Sequence, residues 1–182
     1  MAKKPLQEDL KVPEGVALTC SSGKVTLKGK KGEHQRDFFQ PLVQLQADGQ
    51  TIQLRAIRTT KREKKMAGTI IAHLKNMIIG VTEGHSYKLK ICSGHFPMNV
   101  SVSPKEFIIK NFLGEKYPRI LQLKPGVMVK IDGQDIIVES VDKEKAGQVA
   151  ADIETLTKVK GRDLRIFQDG IYITTKDGKS VR

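Results

Sequence analysis

The chain has 182 residues, with 32 Lys+Arg against 20 Asp+Glu, a formal net charge of +12 and a pI near 9.7. With 38% hydrophobic residues it can bury a core, as one ordinary domain or two small ones. The basic balance favours an anionic partner (nucleic acid, membrane surface or acidic protein), while 5% aromatic residues and no Trp argue against an aromatic stacking platform.

The N-terminal Met1-Ala2-Lys3-Lys4-Pro5 lacks the apolar segment of a secretory signal, and no apolar run approaches the roughly 20 residues of a membrane span. Cys20 and Cys92, without a Cys-x-x-Cys, suit a reducing compartment. An intracellular soluble protein is expected.

From Leu10 the chain reads as short strands. Val16–Cys20 and Lys24–Gly29 alternate in polarity around a Ser21-Ser22-Gly23 turn and predict a hairpin. The loop Gly29-Lys30-Lys31-Gly32 follows, then an extended section from Phe38-Phe39 and Leu42-Val43. Asp48-Gly49 marks a turn into a strand over residues 51–57. Thr60-Lys61-Arg62-Glu63 has the form of a capping box, and Met66, Ile70, Ile71, Leu74, Met77 and Ile78 fall on one helical face. Gly80 is expected to end this helix, and residues 81–91 to supply the closing strand of the first module.

The pattern then repeats. Residues 99–102 and 106–110 predict strands around a Ser103-Pro104 turn, and residues 16–33 align without a gap on 98–115. Asp48-Gly49-Gln50 recurs as Asp132-Gly133-Gln134. Ala67-Gly68 recurs as Ala146-Gly147, opening a helix with Ala146, Val149, Ala150, Ile153 and Leu156 as its buried stripe. The second copy is five residues shorter between strand and helix, where the first carries Lys61, Arg62, Lys64 and Lys65. The expected fold class is α+β, an internal duplication of a small module of antiparallel strands packed with one α-helix. The first repeat spans 1–93 and the second 94–182. The first is the more basic: residues 1–90 hold 17 Lys+Arg and 8 Asp+Glu, residues 91–182 hold 15 and 12.

Nothing in the sequence assembles a catalytic site. His34, His73, His85 and His95 have no partner at nucleophile spacing, and Cys92-x-x-His95 is half a zinc site without the other half. No catalytic residue, metal or cofactor is expected. The basic clusters carry the functional signal. Lys28, Lys30 and Lys31 surround two glycines that allow close backbone approach to a phosphate. Their counterpart holds Lys110, Asn111, Lys116 and Arg119. Lys61, Arg62, Lys64 and Lys65 oppose the dipole at a helix start, which anions there would relieve. A third cluster, Lys158, Lys160, Arg162 and Arg165, places two guanidinium forks at i and i+3 after Gly161. Within it Phe167, Ile171 and Tyr172 are expected to pack the sheet. The tail adds Lys176, Lys179 and Arg182. The first two clusters are equally readable as solvated faces, the third less so because of its paired forks, and a free RNA chaperone or an enzyme with an unrecognised site remains an alternative.

Three motifs decide further. Gly94-His95-Phe96-Pro97-Met98, the run from Asn111 through Phe112-Leu113-Gly114-Glu115 to Lys116, and the run Arg162-Asp163-Leu164-Arg165-Ile166-Phe167-Gln168-Asp169-Gly170-Ile171-Tyr172 together resemble the ribosomal protein L6 family in its archaeal and eukaryotic form. The likeness covers essentially the whole chain, and departs at Thr155 and Thr175. It implies a duplicated α+β fold and a structural place on the large ribosomal subunit in the cytoplasm, as a monomer within the ribosome. It further implies binding of large-subunit rRNA near the sarcin–ricin loop, with neighbouring ribosomal proteins and translation factors close by. Arg162, Arg165 and the Asn111–Lys116 loop are the matching RNA-binding positions.

Overall fold

The computed structural model describes residues 7–21, 23–57 and 60–181. Lys3, Lys4, Ser22 of the predicted turn and Arg182 lie outside the described residues. The chain divides into two compact units, Met1–Gly84 and His85–Arg182.

In the first unit, β1 (Gln7–Lys11), β5 (Val43–Asp48) and β6 (Thr51–Ala56) form an antiparallel sheet in the order β1-β6-β5. β2 (Ala17–Ser21), β3 (Lys24–Gly29) and β4 (Gly32–Asp37) form a second sheet in sequence order. The predicted hairpin is β2–β3, with Cys20 opposite Val25 and Leu18 opposite Leu27. Alternation puts Val25, Leu27, Ile52 and Leu54 inside, against α1 (Lys61–Thr82). The helix buries Ala67, Ile70, Leu74, Met77 and Val81 at helical spacing. Its start carries the expected capping box, with Glu63 reaching back to accept from the Thr60 N–H at 3.2 Å.

The helix ends later than Gly80. Gly80 is buried inside it, Glu83 is the C-cap, and Gly84 (φ +84°) takes the left-handed turn. Two glycines stood near the end, and the outer one supplies the conformation that only glycine adopts cheaply.

A second correction concerns β7 (His85–Cys92). It was expected to close the first repeat, but it pairs with neither sheet of the first unit. It lies at the centre of the second unit's five-stranded sheet, β11-β12-β7-β13-β14. These strands are β11 (Val127–Asp132), β12 (Asp135–Ser140), β13 (Gly170–Lys176) and β14 (Lys179–Ser180). The pairing β7–β12–β11 repeats β1–β6–β5, so β7 is the counterpart of β1 and the boundary falls between Gly84 and His85 rather than after residue 93.

A three-stranded sheet, β8 (Asn99–Val102), β9 (Glu106–Lys110) and β10 (Arg119–Gln122), and α2 (Lys143–Leu156) complete the unit. Its core gathers Leu89, Phe107, Ile109, Phe112, Ile136, Val138, Val149, Ile153 and Ile171. Buried Thr157 latches the end of α2 to the sheet: its hydroxyl accepts from the Ile171 N–H at 2.9 Å and lies 3.1 Å from the Glu154 carbonyl. At the far end of β13, Asp177 stands 2.9 Å from Nδ1 of buried His85 and 3.4 Å from Lys143. Two modules of antiparallel sheets, each packed with one helix, realise the duplicated α+β class. No described helix is long and apolar enough to cross a membrane.

Candidate nucleic-acid interface

Three loops meet at the end of the second unit where β7 finishes and β13 begins. Gly170 pairs with Cys92, which sets residues 93–98 beside the segment 157–169. Asp169, only 2% exposed, sits at the join. Its Oδ1 accepts from the backbone N–H groups of Gly94 and His95, at 2.5 and 3.0 Å, and its Oδ2 stands 2.6 Å from His95 Nδ1. Burial alone would push this carboxyl up. The His95 and Gly94 N–H groups and the His95 ring outweigh it and hold Asp169 below the usual carboxylate value.

The clamp orients a stack. The His95 ring lies on Phe167, with centroids 4.5 Å apart and planes 25° apart, and the guanidinium of Arg162 lies 4.8 Å from the Phe167 centroid. Arg162 is exposed yet carries a fixed partner, and a cation held over a ring loses less freedom when it meets a phosphate. Asp163 folds the loop by accepting from the Arg165 N–H at 2.9 Å. Arg165 projects from this turn almost fully exposed, its Nε 3.6 Å from Asp163.

The 111–116 loop joins from the other side. Asn111 has φ +60° and its side-chain amide donates to the Pro97 carbonyl at 3.0 Å. Leu113 (φ +48°) and Gly114 (φ +80°) are also left-handed, on the other side of buried Phe112. Arg119 forks onto Glu115, donates to the Leu156 carbonyl and covers the Phe112 ring at 4.2 Å. The hydrogen bond from Arg119 holds the Glu115 carboxyl low despite some burial, with the Arg119 and Arg162 charges adding to it. Asn111 and Arg119, both expected to touch RNA, also make hydrogen bonds inside the protein that shape the loop.

The remaining predicted residues fall in separate places. Lys110 and Lys116 flank the 111–114 turn, and Lys158 and Lys160 precede Arg162; all four are exposed. Lys176 and Lys179 occupy the β13–β14 hairpin, at the opposite end of β13 from Gly170. In the first unit, exposed Lys61, Arg62, Lys64 and Lys65 form the first turns of α1. Lys28, Lys30 and Lys31 lie near the other end of that helix, where the Lys31 N–H donates to the Val81 carbonyl at 3.0 Å. A helix of 22 residues is about 33 Å long, so these two clusters are not one patch. The glycine of the lysine loop also serves a different purpose: a Cβ on Gly29 would stand 2.5 Å from the Val81 oxygen. The helix end occupies that close approach.

Of the three aromatic-motif residues expected in the sheet, Ile171 is fully buried, Phe167 packs on His95 and Tyr172 is exposed. Asp169 and His95 were missed as organisers of the site, and their separation of 74 positions leaves no local spacing signal. Among the described residues no group of three or more His, Cys, Asp or Glu could hold a metal ion.

The model of the family described as Ribosomal protein L6 matches residues 12–84 and 96–170, a segment in each unit. The large ribosomal subunit protein uL6 of Methanosarcina mazei is 44% identical over 173 residues, covering 95% of this chain and 98% of that protein. The proteins of the same description from Methanococcus vannielii and Aeropyrum pernix are 42% and 44% identical, over 96% and 93% of this chain and 96% and 94% of their own lengths.

Proposed function

The chain belongs to the ribosomal protein L6 family, in its archaeal-type branch, and is a large-subunit ribosomal protein that supports translation without chemistry of its own; from that footing we propose that it binds large-subunit rRNA near the sarcin–ricin loop and the factor-binding region, chiefly through the loops gathered at the Asp169 end of the second unit. The observation that carries this reading is the Arg162–Phe167–His95 stack clamped by buried Asp169. It presents exposed Arg162, with Arg165, Lys158 and Lys160, from a backbone fixed before RNA arrives. Preorganised forks on phosphates position RNA segments that would otherwise repel one another. The first unit's two lysine clusters and the Lys176–Lys179 hairpin supply further phosphate contacts. The protein acts as a monomer in the cytoplasmic ribosome, beside other large-subunit proteins and close to where translation factors dock.

Binding to an rRNA fragment carrying the sarcin–ricin stem–loop tests the reading. The affinity falls by several decades between low and moderate salt, as about six to ten phosphate contacts require. Replacing Arg162 and Arg165 with Ala lowers affinity and incorporation into the large subunit more than replacing Lys3 and Lys4. A flat salt response removes the electrostatic mechanism, and equal effects of the two pairs remove the ranking. A free RNA chaperone, the competing role, would not co-sediment stoichiometrically with the large subunit at high salt.

A further inference from the structure

The arginine loop contains something that a phosphate backbone does not need. Leu164, Ile166 and Tyr172 are all exposed there, at 60%, 63% and 42%. Ile166, Gln168 and Tyr172 line an open groove of about 720 Å³ together with Cys92, Ser93 and Gly94. Such a volume is ample for one nucleotide.

Tyr172 is not a loose surface ring. It lies over Gly170, where an added Cβ would come 3.1 Å from the ring carbon Cζ, and its hydroxyl donates to the Gln168 carbonyl at 3.3 Å. The hydroxyl end of the ring is therefore held against the backbone, and the side chain lines the groove. A fixed aromatic has already lost the freedom that stacking would otherwise cost it. Burial, with smaller contributions from Cys92, Asp169 and Glu154, pushes its hydroxyl pKa up, so the ring is neutral at physiological pH.

Register supplies the charge. Tyr172 pairs with Lys90 on β7, and both point to the sheet face opposite the buried Ile171 and Leu89. Lys88, two residues along, is exposed on the same face. An aromatic on β13, with Lys90 and Lys88 beside it on β7 and the loop of Arg162 and Arg165 leading into its own strand, complements a ligand with an apolar face and an anionic backbone.

We propose that the groove lined by Tyr172 and Ile166 takes one unpaired nucleobase of the bound RNA, stacked on the Tyr172 ring, while Lys90 and the arginine loop hold its flanking phosphates. This rests on the reading that the second unit binds RNA. It narrows the compositional expectation: few aromatics exclude an extended platform, not a single subsite.

The test uses the full chain and two synthetic RNAs, a fully paired duplex and the same duplex with an internal run of unpaired adenosines, one of them replaced by 2-aminopurine. Wild type binds the interrupted duplex more tightly and quenches the 2-aminopurine. Tyr172→Ala loses roughly tenfold in affinity for the interrupted duplex, with an unchanged salt slope, and loses the quenching. Tyr172→Phe keeps both. Lys90→Gln weakens binding to both RNAs and lowers the salt slope by about one. Circular dichroism confirms that each variant is folded. If Arg162→Ala/Arg165→Ala weakens binding but Tyr172→Ala does not, the base subsite is wrong and the RNA reading stands. If neither does, the RNA reading itself fails. If Tyr172→Ala binds both RNAs normally yet is lost from reconstituted subunits, the groove holds a neighbouring protein and the proposal is overturned.

Discussion

Asp169 concentrates the second unit's local energetics in one carboxylate. It satisfies two backbone donors and contacts an imidazole while almost fully buried, so removing it leaves polar groups without partners rather than merely deleting one bond. Asp169→Ala should cost about 3 kcal/mol, read as a shift in the urea midpoint. The pH dependence has a definite sign. The folded-state pKa lies below the ordinary value, so the contribution is complete above about pH 4 and is lost as pH falls through the folded value. Wild type should therefore lose its margin over Asp169→Ala on acidification, and an unchanged margin down to strongly acid pH would refute the clamp. At this scale the sequence was only partly legible. Glu115 and Arg119 stand four apart across the turn into β10, and nothing local says that the arginine turns inward to Phe112 and Leu156.

Helices and strands were more readable because their signals are periodic. The stripe from Met66 to Met77 and the alternation of Val25 and Leu27 are consequences of geometry that any core must respect. Ends were less readable, since Gly80 and Gly84 are equally permissive and only packing selects between them. The same limit applies to Gly29, where the letters cannot say whether a ligand or the protein's own helix makes the close approach. Gly29→Ala should therefore destabilise the first unit by about 1–3 kcal/mol, because the new methyl meets the rigid Val81 carbonyl. Thermal unfolding checks this. A variant with reduced RNA affinity but unchanged stability would instead support a phosphate cradle.

At the scale of the molecule, the duplication was plain in the sequence but its phase was not. Turn and helix anchors locate a repeat without saying where it begins, and β7 satisfies the alternation rule equally well in either unit. Pairing settles the matter: a fragment 85–182 retains the central strand of the five-stranded sheet, and 94–182 lacks it. The longer fragment should fold cooperatively in a chemical melt, and the shorter should not. Two folded fragments of equal stability would return the boundary to residue 93.

The position of β7 also sets an order of events during synthesis. Among the described residues every strand partner of the first unit lies within that unit, so it can complete its sheets once α1 has left the ribosome that makes it. β7 emerges next but cannot be enclosed, since Ile91 waits for Ile171, 80 residues downstream. Its alternating Tyr87, Leu89 and Ile91 therefore form an open strand edge for most of the second unit's translation, and the interleaved Lys88 and Lys90 discourage that edge from pairing with another nascent chain.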